Sequence, residues 1–241
     1  MATANVPYSH AAAARNQRWF YTAMAVAAAL AVFIGFAPSY YLKPFTGAGP
    51  LPPLVHTHGV VFTAWVILFV VQVRLVAARQ LRLHRRLGVG AVVLSAAMMV
   101  LGTLTMFAAA RRQGTAPFGL TGAQFLLVPL IDILIFGTLV AVAVVYRRRG
   151  AVHKRLMLLA LTGGLLPAPL ARIGIMLGLP VLFPLLLSVG LAAGVVHDRM
   201  TLGRVHPVNR WVPIAIFITV PLRLLIARTA AWDALARWLI G

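Results

Sequence analysis

Apolar stretches alternate with short polar ones along most of the chain. The apolar runs cover residues 19–38, 55–77, 88–109, 125–146, 156–175, 180–196 and 212–227. A helix needs about 20 apolar residues to cross a hydrocarbon core. The pattern therefore predicts an all-α fold, a polytopic transmembrane helix bundle of about seven spans. Residues 1–17 read as a cytoplasmic tail and residues 18–228 as the bundle. In residues 229–241, "TAAWDALARWLI" sets Trp232, Leu235 and Leu239 on one helical face and an Asp233/Arg237 pair on another. That segment reads as a short amphipathic helix lying in the outer interface. The turn "MLGLP" between the fifth and sixth runs is tight. It leaves a six-span arrangement with one re-entrant segment as the competitor.

Composition agrees. Hydrophobic residues make up 61% of the 241 and charged residues 10%, against about a quarter charged in soluble domains. The net charge of +19 does not point to nucleic acid, because the cations lie in short loops between apolar runs. Arg15 and Arg18 precede the first run. Arg79, Arg82, Arg85 and Arg86 follow the second. Arg147, Arg148, Arg149, Lys154 and Arg155 follow the fourth, and Arg199, Arg204 and Arg210 the sixth. The opposite side has Lys43, Arg111, Arg112, Arg228 and Arg237. This alternation predicts a cytoplasmic N-terminus, an outer C-terminus and a cytoplasmic face that attracts anionic lipid. The first run, with Trp19, Phe20 and Tyr21 at its start, reads as a retained helix rather than a cleaved signal. Ala, Arg and Leu usage suggests a bacterial inner membrane.

The chain has no cysteine, which removes disulfides, iron–sulfur clusters and thiolate catalysis. Glutamate is absent, and the acids are Asp132, Asp198 and Asp233. No hydrolase, kinase or nucleotide motif is present. A retinal Schiff base is excluded as well, because the two lysines, Lys43 and Lys154, both read as loop residues.

Histidine is the strongest neutral-pH metal ligand left. "LHRRLG", "VHKRLM" and "VHPVNRW" each set a histidine beside cations just before an apolar run. His84, His153, His197 and His206 then share one depth. Facing helices that present such imidazoles could hold a b-type haem, with Arg85 and Arg155 among the cations near its propionates, or a zinc or copper ion. His84 and His153 are the leading metal ligands. The competing reading gives these residues to lipid phosphate at helix starts. On the other side, "HTHG" offers His56 and His58. Positions i and i+2 do not share a helical face, so they meet on one ion only if His56 precedes the helix. Otherwise His58 stands alone, with Met106 or Met176 as a candidate partner. The repeat of "LHRRLG" and "VHKRLM" hints at a duplicated two-helix unit.

Asp132 in the fourth run and Arg172 in the fifth are expected at similar depth and read as an intramembrane charge pair. Such charges mark a proton or anion site or a structural lock. The fifth run also contains "GGLLPAPLARIG", a broken helix of the sort transporters use at midplane sites.

The residues His84, Arg85 and Gly88, with His153, Arg155, Met157 and Arg172, resemble a family of bacterial multi-pass membrane proteins. These carry His-Arg-x-x-Gly and His-x-Arg-x-Met helix starts. That resemblance covers roughly residues 55 to 210; it implies the fold class and no particular activity. A looser likeness to cytochrome b561-type proteins implies haem between histidines of a bundle, although here the histidines lie at helix ends. Three functions follow as expectations: a haem or metal redox protein, a small transporter built on the Asp/Arg pair and broken fifth helix, or a non-catalytic membrane subunit or assembly factor whose basic face binds lipid, a partner subunit or a second copy of itself.

Overall fold

The computed structural model describes residues 8–47, 49–112 and 115–241. It is a helical bundle. Its elements are α1 (Tyr8–Phe36), α2 (Pro53–Ala77), α3 (Leu81–Ala110), α4 (Gly122–Phe125), α5 (Leu127–Val145), α6 (Gly150–Leu159), α7 (Pro167–Met176), α8 (Leu182–Leu202), α9 (Pro207–Ala227) and α10 (Ala230–Ile240). Six helical stretches are long and apolar enough to cross a membrane: Arg15–Tyr41, Pro53–Ala77, Leu81–Ala110, Gly122–Val145, Leu182–Leu202 and Pro207–Ala227. A seventh is formed by α6 and α7 together, bent by 41° at a short break. A re-entrant loop would have to double back, and a 41° bend does not. The fifth apolar run is therefore one broken crossing. Helix starts at Tyr8, inside the stretch expected to be a tail, and the residues before Tyr8 lie outside those described. In the second outer loop, Thr115–Ala116 and Leu120–Thr121 form a minimal antiparallel ribbon.

Many large apolar side chains point outward, among them Val89, Val93, Val189, Leu225 and Ile67. In water this would be an aggregation surface. In lipid it is the expected exterior, with backbone polar groups satisfied inside helices. The interior is set by close approaches between helices, and small residues permit them.

The break in the fifth span lies at the centre. Residues Ala160–Leu165 form a π-helical segment in which every residue is buried. Leu166 N–H reaches back five residues to the Leu161 carbonyl at 2.9 Å. Pro167 then opens α7 at a first-turn position, where a missing N–H costs little. The extra residue in the turn and the proline together bend the span. Gly164 faces α5 so closely that a Cβ there would lie 2.7 Å from the Phe136 backbone, and Gly163 faces Ile216. Gly35 on α1 meets the Pro169 backbone in the same way.

One expected outcome follows here. Gly164→Ala should destabilise the protein by about 1–3 kcal/mol, because backbone at 2.7 Å cannot yield as a side chain can. Gly90→Ala, with open space around it, should not. Thermal midpoints of the two variants in detergent check the contrast; equal midpoints would contradict it.

The C-terminal helix differs from expectation in its orientation. Trp232 and Ala236 are buried, and the Trp232 indole N–H donates to the Gln124 carbonyl at 3.1 Å. Leu235, Trp238 and Leu239 are exposed instead. Thus α10 docks on α4 through one stripe and offers another apolar stripe outward. Thr229 caps it, accepting from Trp232 N–H.

Candidate functional site

Burying charge in a bundle is expensive unless the charge is paired. Two ion pairs are buried among the described residues. Both use residues that the sequence singled out, but with partners it did not assign.

The first pair joins α5 to α9. Arg223 Nη1 lies 2.5 Å from Asp132 Oδ1 and also donates to the Val128 carbonyl at 3.2 Å. Arg223 is 3% exposed. Its second terminal nitrogen, Nη2, is buried without a hydrogen-bond partner among the described residues. The engagement is thus one-sided, a single guanidinium nitrogen on a single carboxylate oxygen. The expected Asp132–Arg172 pair is corrected by this arrangement. Arg172 sits on an exposed face of α7, where its guanidinium lies over the Phe36 ring at 4.8 Å and donates to Ser39 Oγ at 3.1 Å. Depth alone could not place the two together, because Arg172 points towards α1 and not towards α5.

The second pair lies at the basic end and joins α6 to α8. Arg155 engages Asp198 with two nitrogens, Nε on Oδ2 at 3.0 Å and Nη2 on Oδ1. Asp198 also accepts from Asn209 Nδ2 at 2.9 Å and from His206 N–H at 3.2 Å. Arg155 spends its Nη1 on the Ala151 carbonyl. The carboxylate is fully enclosed, and three spans converge on it. Arg155 is therefore not free to meet a haem propionate, while Arg85 stays exposed on α3. His206 caps α9, its Nδ1 accepting from Val208 N–H at 3.2 Å. Burial pushes its imidazole below the ordinary histidine value, which suits a ring that must keep a lone pair. His197 stacks on Phe20 with ring centres 4.0 Å apart, and both its ring nitrogens are buried without a partner among the described residues. Lys154 lies in the first turns of α6, its ammonium 5.5 Å from the Tyr21 ring centre.

The four histidines expected to meet resolve into separate places. His84 and His153 approach each other, with ring centres 6.4 Å apart, while His197 and His206 belong to the surroundings of Asp198. At the opposite end His56 and His58 diverge. Because α2 begins at Pro53, both are helical and two positions apart, which turns them to different faces. His56 meets Tyr40, whose hydroxyl donates to the His56 carbonyl at 3.2 Å. His58 stacks on Phe62 at 3.9 Å and is not joined to His56 as a chelating pair. Met176 is half exposed at the end of α7, and Met106 lies in an apolar cluster with α4 and α10. Among the described residues no group of three or more His, Asp or Glu side chains could hold a metal ion.

Sequence reasoning missed Asn209 and the roles of Asp198 and Arg223. Asp198 had a signal, since it is one of three acids in the chain and adjoins His197. Arg223 had one as well, as a cation deep in an apolar run. None of the family models, curated proteins or solved structures compared with the chain matches it.

Proposed function

We propose that this protein is a small membrane transporter that moves an anion together with a proton through the Asp132–Arg223 site. The observation that carries this reading is the one-sided engagement of that pair. A lock would be expected to use both carboxylate oxygens and leave no guanidinium nitrogen idle, as Arg155 and Asp198 do. Here Arg223 Nη2 remains without a partner among the described residues.

The chemistry runs in two states. With Asp132 ionised, its charge neutralises Arg223 and the site holds no net charge. With Asp132 protonated, Arg223 keeps its proton and its uncompensated charge attracts an anion. Deprotonation restores the pair and expels the anion. The broken fifth span packs against α5, which bears Asp132, and against Ile216 of α9, which bears Arg223. A discontinuous helix beside an ion site is the arrangement by which transporters let one half-helix move against its neighbours.

Proteoliposomes containing a pH dye and a trace anion panel (chloride, formate, acetate, phosphate) test the reading. An inward proton gradient should drive uptake of at least one of these anions. Asp132→Asn, which keeps the shape but cannot cycle a proton, should lose the proton-driven component by at least about tenfold. Proton-driven uptake unchanged in Asp132→Asn, or absent from wild type for every anion, would count against the proposal.

A further inference from the structure

His84 and His153 occupy corresponding places. Each is the fourth residue of its helix, α3 or α6, and each of those helices follows a hairpin partner, α2 or α5. The rings meet across the bundle with centres 6.4 Å apart and planes at 81°. His153 Nδ1 lies 2.8 Å from the Ala143 carbonyl. A carbonyl only accepts, so Nδ1 carries the proton and Nε2 is left with its lone pair. Fixing the tautomer through a backbone carbonyl in this way is how proteins prepare an imidazole for metal.

Unmet polar atoms surround the pair. His84 Nδ1 is buried without a partner among the described residues. Gln72 on α2 is 8% exposed, and both atoms of its amide are likewise unpartnered. Gly88, one turn beyond His84 on the same face, leaves the Gln72 amide 3.7 Å from where a Cβ would be. Met157 stands in the same relation to His153, one turn deeper with a soft thioether. Polar atoms enclosed in a lipid-facing bundle are costly when unpaired, and a metal bonded to the His84 ring would relieve its unpartnered nitrogen.

The number of donors narrows the kind of ligand. Ring centres 6.4 Å apart leave room for one metal ion bonded at about 2.0 Å to a nitrogen of each ring. Closed zinc sites take four protein ligands, more than this place supplies. Copper(I) and haem iron both accept two imidazoles, and neither needs a third histidine or acid. We infer that His84 and His153 hold a single transition-metal centre between them, each through one nitrogen of its ring. The inference does not depend on the transport reading.

Purified full-length protein tests it in two arms. One titrates copper(I) against a chromophoric chelator; the other titrates hemin and follows the Soret band. Wild type should bind one equivalent in one arm, and X-ray absorption should show two imidazole nitrogens on the metal. His84→Ala and His153→Ala should each weaken binding at least a hundredfold. His84→Gln, which keeps a polar side chain, should lose binding equally while eluting and melting as wild type does. Binding in neither arm would overturn the inference. So would binding that survives both alanine variants, or a metal bound through only one imidazole.

Discussion

Asp198→Ala should destabilise the protein by about 3–5 kcal/mol, more than any other single substitution considered. The side chain is fully enclosed and takes four hydrogen bonds, two from Arg155 and one each from Asn209 and the His206 backbone. Removing it leaves the Arg155 charge buried at 2% exposure with no counter-charge beside it. It also strips the Asn209 amide and the His206 N–H of an acceptor. Two consequences separate this mechanism from simple loss of packing. Asp198→Asn keeps the volume and should still cost about 2 kcal/mol or more, because the charge is gone. Asp198→Leu with Arg155→Met should recover most of the loss, since apolar replacement of both partners removes the uncompensated charge. Denaturation in mixed micelles measures all three. A loss under about 1 kcal/mol for Asp198→Ala would mean that Arg155 finds another partner.

The Asp132–Arg223 pair should respond in the same way in stability, but not in transport. Asp132→Ala alone leaves a buried arginine and should cost about 3 kcal/mol or more. Asp132→Leu combined with Arg223→Met should be neutral or stabilising in the fold. Transport is the quantity that should not return. If the pair were only a lock between α5 and α9, the apolar double variant would restore everything. If it is a site, stability and flux part company.

How much of this was legible follows from what a linear pattern can carry. Hydropathy and the alternation of cations predicted the spans, because length and charge are properties of a segment. "GGLLPAP" announced the break in the fifth span, since glycine and proline act locally. Azimuth was not legible. Membrane helices are apolar on nearly every side, so the 3.6-residue periodicity that marks a buried face in water is weak. Arg172 and Asp132 were placed at one depth and joined, yet Arg172 turns to Ser39 and Phe36. Arg223 lies in the seventh span, and nothing in the sequence says that this helix packs beside the fourth. The His84–His153 approach was legible for the converse reason. Both occupy the first turn of their helices, and the repeated phrase gave them matching positions. The divergence of His56 and His58 followed from helical geometry once the helix was known to start before both.

A buried Asp132–Arg223 pair that moves an ion, rather than only joining two helices, must lose flux when both charges are replaced. Anion flux into proteoliposomes containing the Asp132→Leu/Arg223→Met double variant, checked to be folded and inserted, tests it most directly. Flux should fall at least about tenfold below wild type in a protein as stable as wild type. Wild-type flux from that variant would contradict it.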